Sequence, residues 1–292
     1  MAPIVLFQLR PGFPILSEIQ RILLEQVDAA LHHLSAPGPD IDRSVHEARK
    51  CFKCLRGTLR LVRDEIPASA YARLNLLFRD IARQLSDIRS SAVLAETWLA
   101  VQKRHPQLPA EPLLTQLQDW HRQVFAQRAP QQLLPQLHAQ LLPARELIAA
   151  LPLTENRFPR GGMRRVYARG RRAMLLCQQQ PAVHHFHNWR KRVKYLRFHM
   201  RILTPTWPEV LTCTTREWVK LSDLLGDDHD LADLAHALQA HPHRFQAPPA
   251  ALTYIQQDQR TLQQRSLTLG ARLYAEKPSN FVHRIESYWR AW

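Results

Sequence analysis

Glycine is scarce in this chain, eight residues in 292, and no G-x-x-x-x-G-K run occurs. A Gly-rich phosphate loop and a doubly wound nucleotide fold both need glycines where backbone meets pyrophosphate, so neither reading fits. Alternating β-branched runs are missing as well, which leaves no pattern for a sheet. Cysteine is limited to four residues, too few for a disulfide scaffold. Cys51 and Cys54 form an isolated C-x-x-C with no second pair to complete a zinc site; both fall on the apolar side of a helix and read as core. No apolar run is long enough to span a bilayer. The opening segment Met1 to Arg10 lacks the basic start and apolar length of a secretory signal. These features set the expectation of a cytoplasmic protein with no membrane partner. Lysine is scarce too, 7 against 33 arginines. Residues 156–208 contain no Asp or Glu while carrying 13 Arg or Lys.

What is present is charge of one sign on helical periodicity. The formal net charge is +15, which points to a polyanionic partner. The arginine bias favours the planar fork that grips phosphate oxygens two at a time. Apolar residues recur at helical spacing between prolines, so the chain reads as all-α. Helices are expected at 15–35, 41–65, 69–90, 92–105, 111–128, 131–150, 162–180, 182–203, 206–225, 228–240, 249–276 and 279–291. The breaker-rich stretch 151–162 divides two halves, 1–151 and 152–292, in which the same order of helices recurs.

The two halves share a motif, His-x-x-Arg-Lys-x-x-Lys-x-Leu-Arg, once from His46 to Arg56 and again from His187 to Arg197, 141 residues apart. On a helix, His46, Arg49, Lys50, Lys53, Arg56, Arg60 and Arg63 occupy an arc of roughly 140°. Cys51, Cys54, Leu55, Leu59 and Val62 fill the opposite side. In the second copy His187, Arg190, Lys191, Lys194, Arg197 and Arg201 take the same phases, backed by Trp189, Val193, Leu196, Met200 and Leu203. Each stripe runs roughly 20 Å with like charges one turn apart, an arrangement that repels itself. An extended external anion accounts for it better than stability does. The preceding helix of the second half adds Arg164, Arg165, Arg169, Arg171 and Arg172, so binding is expected to lean toward that half. His46 and His187 open the stripes as hydrogen-bond donors, not catalysts, because no paired acid stands beside them.

Leu225-Gly226-Asp227-Asp228-His229 reads as a second helix break, 140 residues after the one at Leu85 to Arg89, and Asp230 follows it. Its acids are expected to cap a helix start and complement its dipole, not to hold a metal. No catalytic residue, metal or cofactor is expected. An enzyme acting on phosphoryl groups would need acids to hold a metal or activate water, and the basic stretch supplies none. Nucleic acid is the alternative ligand. Base stacking wants aromatics among the cations, however, and only Phe198 projects near the centre of either stripe.

At these residues the chain resembles the CHAD domain, the family named for conserved histidines in an α-helical domain. The resemblance rests on both motif helices, on the basic Gly162-Met163-Arg164-Arg165-Val166-Tyr167-Ala168-Arg169-Gly170-Arg171 segment, and on the two Leu-Gly-x-x-Arg-Asp-like breaks. It implies two pseudo-symmetric four-helix bundles from an internal duplication, with basic helices lining a central groove or pore. It also implies binding of inorganic polyphosphate and association with polyphosphate granules. Site residues carried over are His46, Arg49, Lys50, Lys53, Arg56, His187, Arg190, Lys191, Lys194 and Arg197. Arg60, Arg201, Arg164, Arg165, Arg169 and Arg171 rest on stripe or helix position. The breaks depart from the family pattern, Arg89-Ser90 in one copy and His229-Asp230 in the other, which leaves the role of these residues open.

Overall fold

The structure, a computed structural model, describes residues 7–35 and 40–292. The reading of the first residues as something other than a signal therefore lies mostly outside the described part. All regular elements among the described residues are helical: α1 (Ile15–Ser35), α2 (Ile41–Leu61), α3 (Ala68–Gln84), α4 (Ser86–Arg104), α5 (Leu113–Arg128), α6 (Pro130–Leu141), α7 (Pro143–Ala149), α8 (Arg160–Gln179), α9 (Val183–Leu203), α10 (Pro208–Ala240), α11 (Ala251–Leu273) and α12 (Pro278–Arg290). The all-α expectation holds. The motif helices are α2 and α9.

Three expected boundaries differ, one being the junction between 69–90 and 92–105, which falls at Leu85 instead of residue 91. The stretch 131–150 is two helices, because Pro143 lacks the N–H that would continue α6 and instead occupies the first turn of α7. The Gly226–Asp230 break does not exist: α10 runs through it, so these acids lie mid-helix and cap nothing. Leu221, Leu224, Leu225, Asp228, Leu231, Leu234 and Leu238 keep one buried face at helical period across Gly226. Their burial outweighs the ~1 kcal/mol that a mid-helix glycine costs. In the first half the corresponding place is a real junction, where Leu85 ends α3 and precedes α4.

Packing follows the same plan twice. α1 lies on α2 and α8 on α9; α3 and α4 return along α2 as α10 returns along α9; α4 then meets α5 as α10 meets α11. The halves join where α2 crosses α9 and where α4 touches α10. Each apolar core draws on both halves. The larger one holds Phe52, Leu55, Phe78, Trp189, Leu196 and Trp218. The smaller is a four-helix cluster of α4, α5, α10 and α11, with Trp98, Leu117, Leu234 and Ile255.

The crossing of α2 and α9 occurs at one step of the shared motif. Gly57 sits under Phe198, the residue 141 positions later, and a β-carbon on Gly57 would stand 2.7 Å from Phe198 Cδ2. The next residue, His199, is fully buried and donates from Nε2 to the Gly57 carbonyl at 2.9 Å. A carbonyl only accepts, so this contact fixes the tautomer. α8 comes equally close to the end of α2: Gly162 lies against the backbone of Arg60 and Leu61, with no room for a β-carbon.

Candidate anion-binding site

Four helices enclose the meeting place of the two stripes: α2 packs on α9, α9 on α10, α10 on α4, and α4 on α2. Amphipathic periodicity explains how the cations come to face inward here. The apolar backs of α2 and α9 are taken up by the core, chiefly against α1 and α8, so the stripes turn toward each other. Arg49, Lys53, Arg190 and Lys194 come from equivalent steps of the two motifs, and all four are half-buried.

Their electrostatics show how close they are. Burial, then Arg89 and Arg190, push the Arg49 pKa down to about 10. Burial with Arg49 and Arg190 brings Lys53 down to about 8. Lys194 is held well below the ordinary lysine value by burial, Arg190 and Lys53. The charge of Arg190 thus acts on Arg49 and Lys53, and that of Lys53 on Lys194, across the packing of α2 on α9. The Nε atoms of both Arg49 and Arg190 are buried without a hydrogen-bond partner among the described residues. Arg49 is otherwise anchored by Nη1 donating to the Ala82 carbonyl at 2.7 Å. Unmet buried donors cost about 1–3 kcal/mol each, more when charged, so these two Nε groups favour a further acceptor, although the aspartates of α10 already act on Arg190.

The two sides differ. Next to His46 stands Arg89, whereas the matching neighbour of His187 is His229, Nδ1 to Nδ1 at 3.3 Å. Of such a pair one ring donates and the other accepts, so both are not protonated together. Burial with nearby Lys191 and Arg190 brings His187 down to about 4; burial and Arg190 bring His229 down to about 3. α10 also delivers acids. Asp230 approaches Arg190 at 4.0 Å, and Asp233 approaches His229 at 3.5 Å. The sequence offers no paired acid for either histidine, because these carboxylates arrive from some forty positions downstream through the packing of α10 on α9. Arg89 and Asp230, left open by the broken motif, thus face the stripes.

Other expected site residues go elsewhere. Lys50 is exposed and pairs with Glu47 at 2.8 Å. At and past the Gly57–Phe198 crossing the stripes are tied down locally. Arg60 lies over the Tyr195 ring at 4.1 Å and donates to Asn75. Arg56 Nε also reaches Asn75 Oδ1, at 3.4 Å. Arg197 pairs with Asp223 at 3.1 Å, and Arg201 lies 5.6 Å from the Phe7 ring. On α8, Arg165 pairs with Asp64 at 2.9 Å and Arg171 donates to the Tyr274 carbonyl at 3.1 Å. Arg164 lines a cleft with Ser279 and His283, while Arg169 stands among arginines. Cys51 is buried as expected and Cys54 half-buried; burial pushes both thiols up to about 12.

Known proteins bear on this arrangement in two ways. The sequence profile of the CHAD domain matches residues 21–239. Among solved structures, the crystal structure of the CHAD domain from the plant Ricinus communis is similar with a TM-score of 0.52 and 17% identity, covering 100% of this chain and 96% of that one. No curated protein matches the chain.

Proposed function

The chain belongs to the CHAD domain family, and from that premise we propose that it binds inorganic polyphosphate, as a module that holds the chain and does not alter it. The observation that carries this reading is the pair of unmet Nε donors, Arg49 and Arg190, buried at the same step of two motifs inside one cationic enclosure. A phosphate chain offers many acceptor oxygens at regular spacing, each able to take charge-assisted hydrogen bonds from Arg49, Lys53, Arg190 and Lys194. His46, His187, Lys191 and Arg89 stand at neighbouring positions to extend the grip. Residues 1–151 and 152–292 act as two repeats of one functional unit, neither holding the ligand alone. The proposed setting is the cytoplasm and polyphosphate granules, as the family implies. No described helix is long and apolar enough to cross a membrane.

The test is a set of binding isotherms for Arg49→Ala, Lys53→Ala, Arg190→Ala and Lys194→Ala, singly and combined. Losses from both halves, in proteins whose melting is intact, establish one shared site; a loss confined to one half refutes it. By analogy with duplex binders making six to ten phosphate contacts, affinity should fall about 10³- to 10⁵-fold between 50 and 200 mM salt. Competition with RNA or DNA at equal phosphate concentration and fixed salt decides the ligand. Displacement of long-chain polyphosphate by nucleic acid would overturn this assignment. Phe198, the one aromatic in the stripes, is spent on Gly57, so the enclosure lacks the stacking platform a base would use.

A further inference from the structure

A second group of cations lies outside the enclosure, and Lys191 connects the two. Lys191 is exposed, and the charges acting on it are Arg190 within the enclosure and Arg192 and Arg56 beyond it. Arg192 in turn acts on Arg169, together with Arg63, Arg165 and Arg172. These arginines come from three helices, α2, α8 and α9. Packing sets these helices together: α8 lies on both α2 and α9, Gly162 rests on the backbone of Arg60 and Leu61, and Arg165 pairs at 2.9 Å with Asp64, the residue after Arg63. Arg169 and Arg172 are exposed. Asp64 neutralises Arg165, and Arg63 lies over the Tyr71 ring at 4.7 Å. Arg171 is turned away onto the Tyr274 carbonyl. The sequence expectation that the α8 arginines form one group is thus narrowed to Arg169 and Arg172, joined by Arg63 and Arg192.

We propose that a polyphosphate chain held between α2 and α9 leaves the enclosure over Lys191 and Arg56 and continues across an outer arginine face formed by Arg63, Arg169, Arg172 and Arg192. The inference rests on the polyphosphate reading and adds to it a direction of exit and a preference for long chains. A short chain satisfies the enclosure and stops; a long one gains the outer contacts without a second association event, so its gain is that of a tethered site. Each added phosphate contact also contributes about 0.7 to the salt slope, by analogy with single-stranded nucleic acid.

The experiment compares tripolyphosphate, matched to the ~6 Å rise from Arg49 to Lys53, with long-chain polyphosphate. Both are titrated into the wild-type protein, Arg169→Ala/Arg172→Ala, and the same variant with Arg192→Ala added. A control replaces three exposed arginines on α10 and α11, Arg216, Arg260 and Arg265, by alanine. The expected result is a loss of about tenfold for the long chain and little change for tripolyphosphate in the α8 variants, on the scale of a few exposed ion contacts, with no such length dependence in the control. Equal losses for both lengths, no loss for either, or the same length dependence in the control would overturn the outer face while leaving the enclosure as the binding site. Failure of wild-type protein to bind either chain would overturn the functional reading and this inference with it.

Discussion

Replacing Lys53 by methionine should make the free protein more stable and the binding protein worse. Lys53 is half-buried among Arg49, Arg190 and Lys194, and its pKa falls from 10.5 to about 8. At 1.36 kcal/mol per tenfold change, that displacement corresponds to at most ~3 kcal/mol of disfavoured charge. Partial exposure screens some of it, leaving about 1–3 kcal/mol. Because the folded pKa is the lower one, the unfolded chain holds the proton more tightly. The penalty is therefore present in full below pH 8 and disappears as pH rises from about 8 to 10.5. Methionine matches the aliphatic length without the charge, so Lys53→Met should gain about 1–3 kcal/mol at pH 7, a rise of ~2–5 °C in Tm for a chain of this size. Its affinity for polyphosphate should drop by about 10- to 150-fold, the worth of one charged hydrogen bond. Denaturant melts at low salt without phosphate, at pH 7 and pH 10.5, and calorimetric titration at pH 7 read both effects. A variant that is no more stable than wild type at pH 7, or whose advantage persists undiminished at pH 10.5, would refute the claim that the enclosure is a self-repelling cavity awaiting an anion.

Gly162→Ala should cost ~2 kcal/mol or more and loosen α8 from α2, since the added methyl meets the backbone of Arg60 and Leu61 and no side chain can yield; thermal melts against wild type check it. Acidification should weaken the fold through His199. Burial holds its pKa down to about 4, and its Nδ1 has no partner among the described residues to receive a second proton's hydrogen bond. The unfolded chain takes up the proton first, so this contribution, up to ~3 kcal/mol, is complete above pH 6.5 and is lost as pH falls toward 4. Urea midpoints at pH 7 and 5 should converge in His199→Gln; an unchanged pH dependence would count against it. Exchanging the crossing pair should show compensation: Phe198→Gly alone opens a cavity worth about 3–5 kcal/mol, Gly57→Phe alone overpacks, and the two together should cost less than the sum. Additive losses would show that the two sides of the crossing are not equivalent.

Periodicity made the helices and both cationic stripes legible, because burial of one face at 3.6 residues per turn is a local property. Convergence of the stripes is not local, and the sequence held only an indirect sign of it: two motifs in the same phase on two helices. The one residue pair that marks where they meet was written as a mismatch, glycine at one copy and phenylalanine at the equivalent step of the other. Where the two motif helices cross, Gly57 meets the residue at the equivalent step of the other copy, so two large residues would collide and two glycines would leave a gap; one of each fills the space. The same crossing explains why half of the predicted stripe is unavailable. Before Gly57, the charges of Arg49 and Arg190 act on Lys53, and those of Arg190 and Lys53 on Lys194; beyond it Arg60 is folded onto Tyr195. The acids of α10 escaped for a different reason. Gly226 and three aspartates in five residues look like a helix boundary, and only the run of buried leucines on either side shows that the helix continues and carries Asp230 to Arg190. Asymmetry enters the site by that route: one motif meets Arg89, itself paired with Glu96 at 2.9 Å, the other the neutral His229 and the carboxylate of Asp230. Two helices with one motif thus supply the charge, and in the proposed reading the residues around them that do not repeat set where a phosphate chain is held most tightly and by which side it leaves.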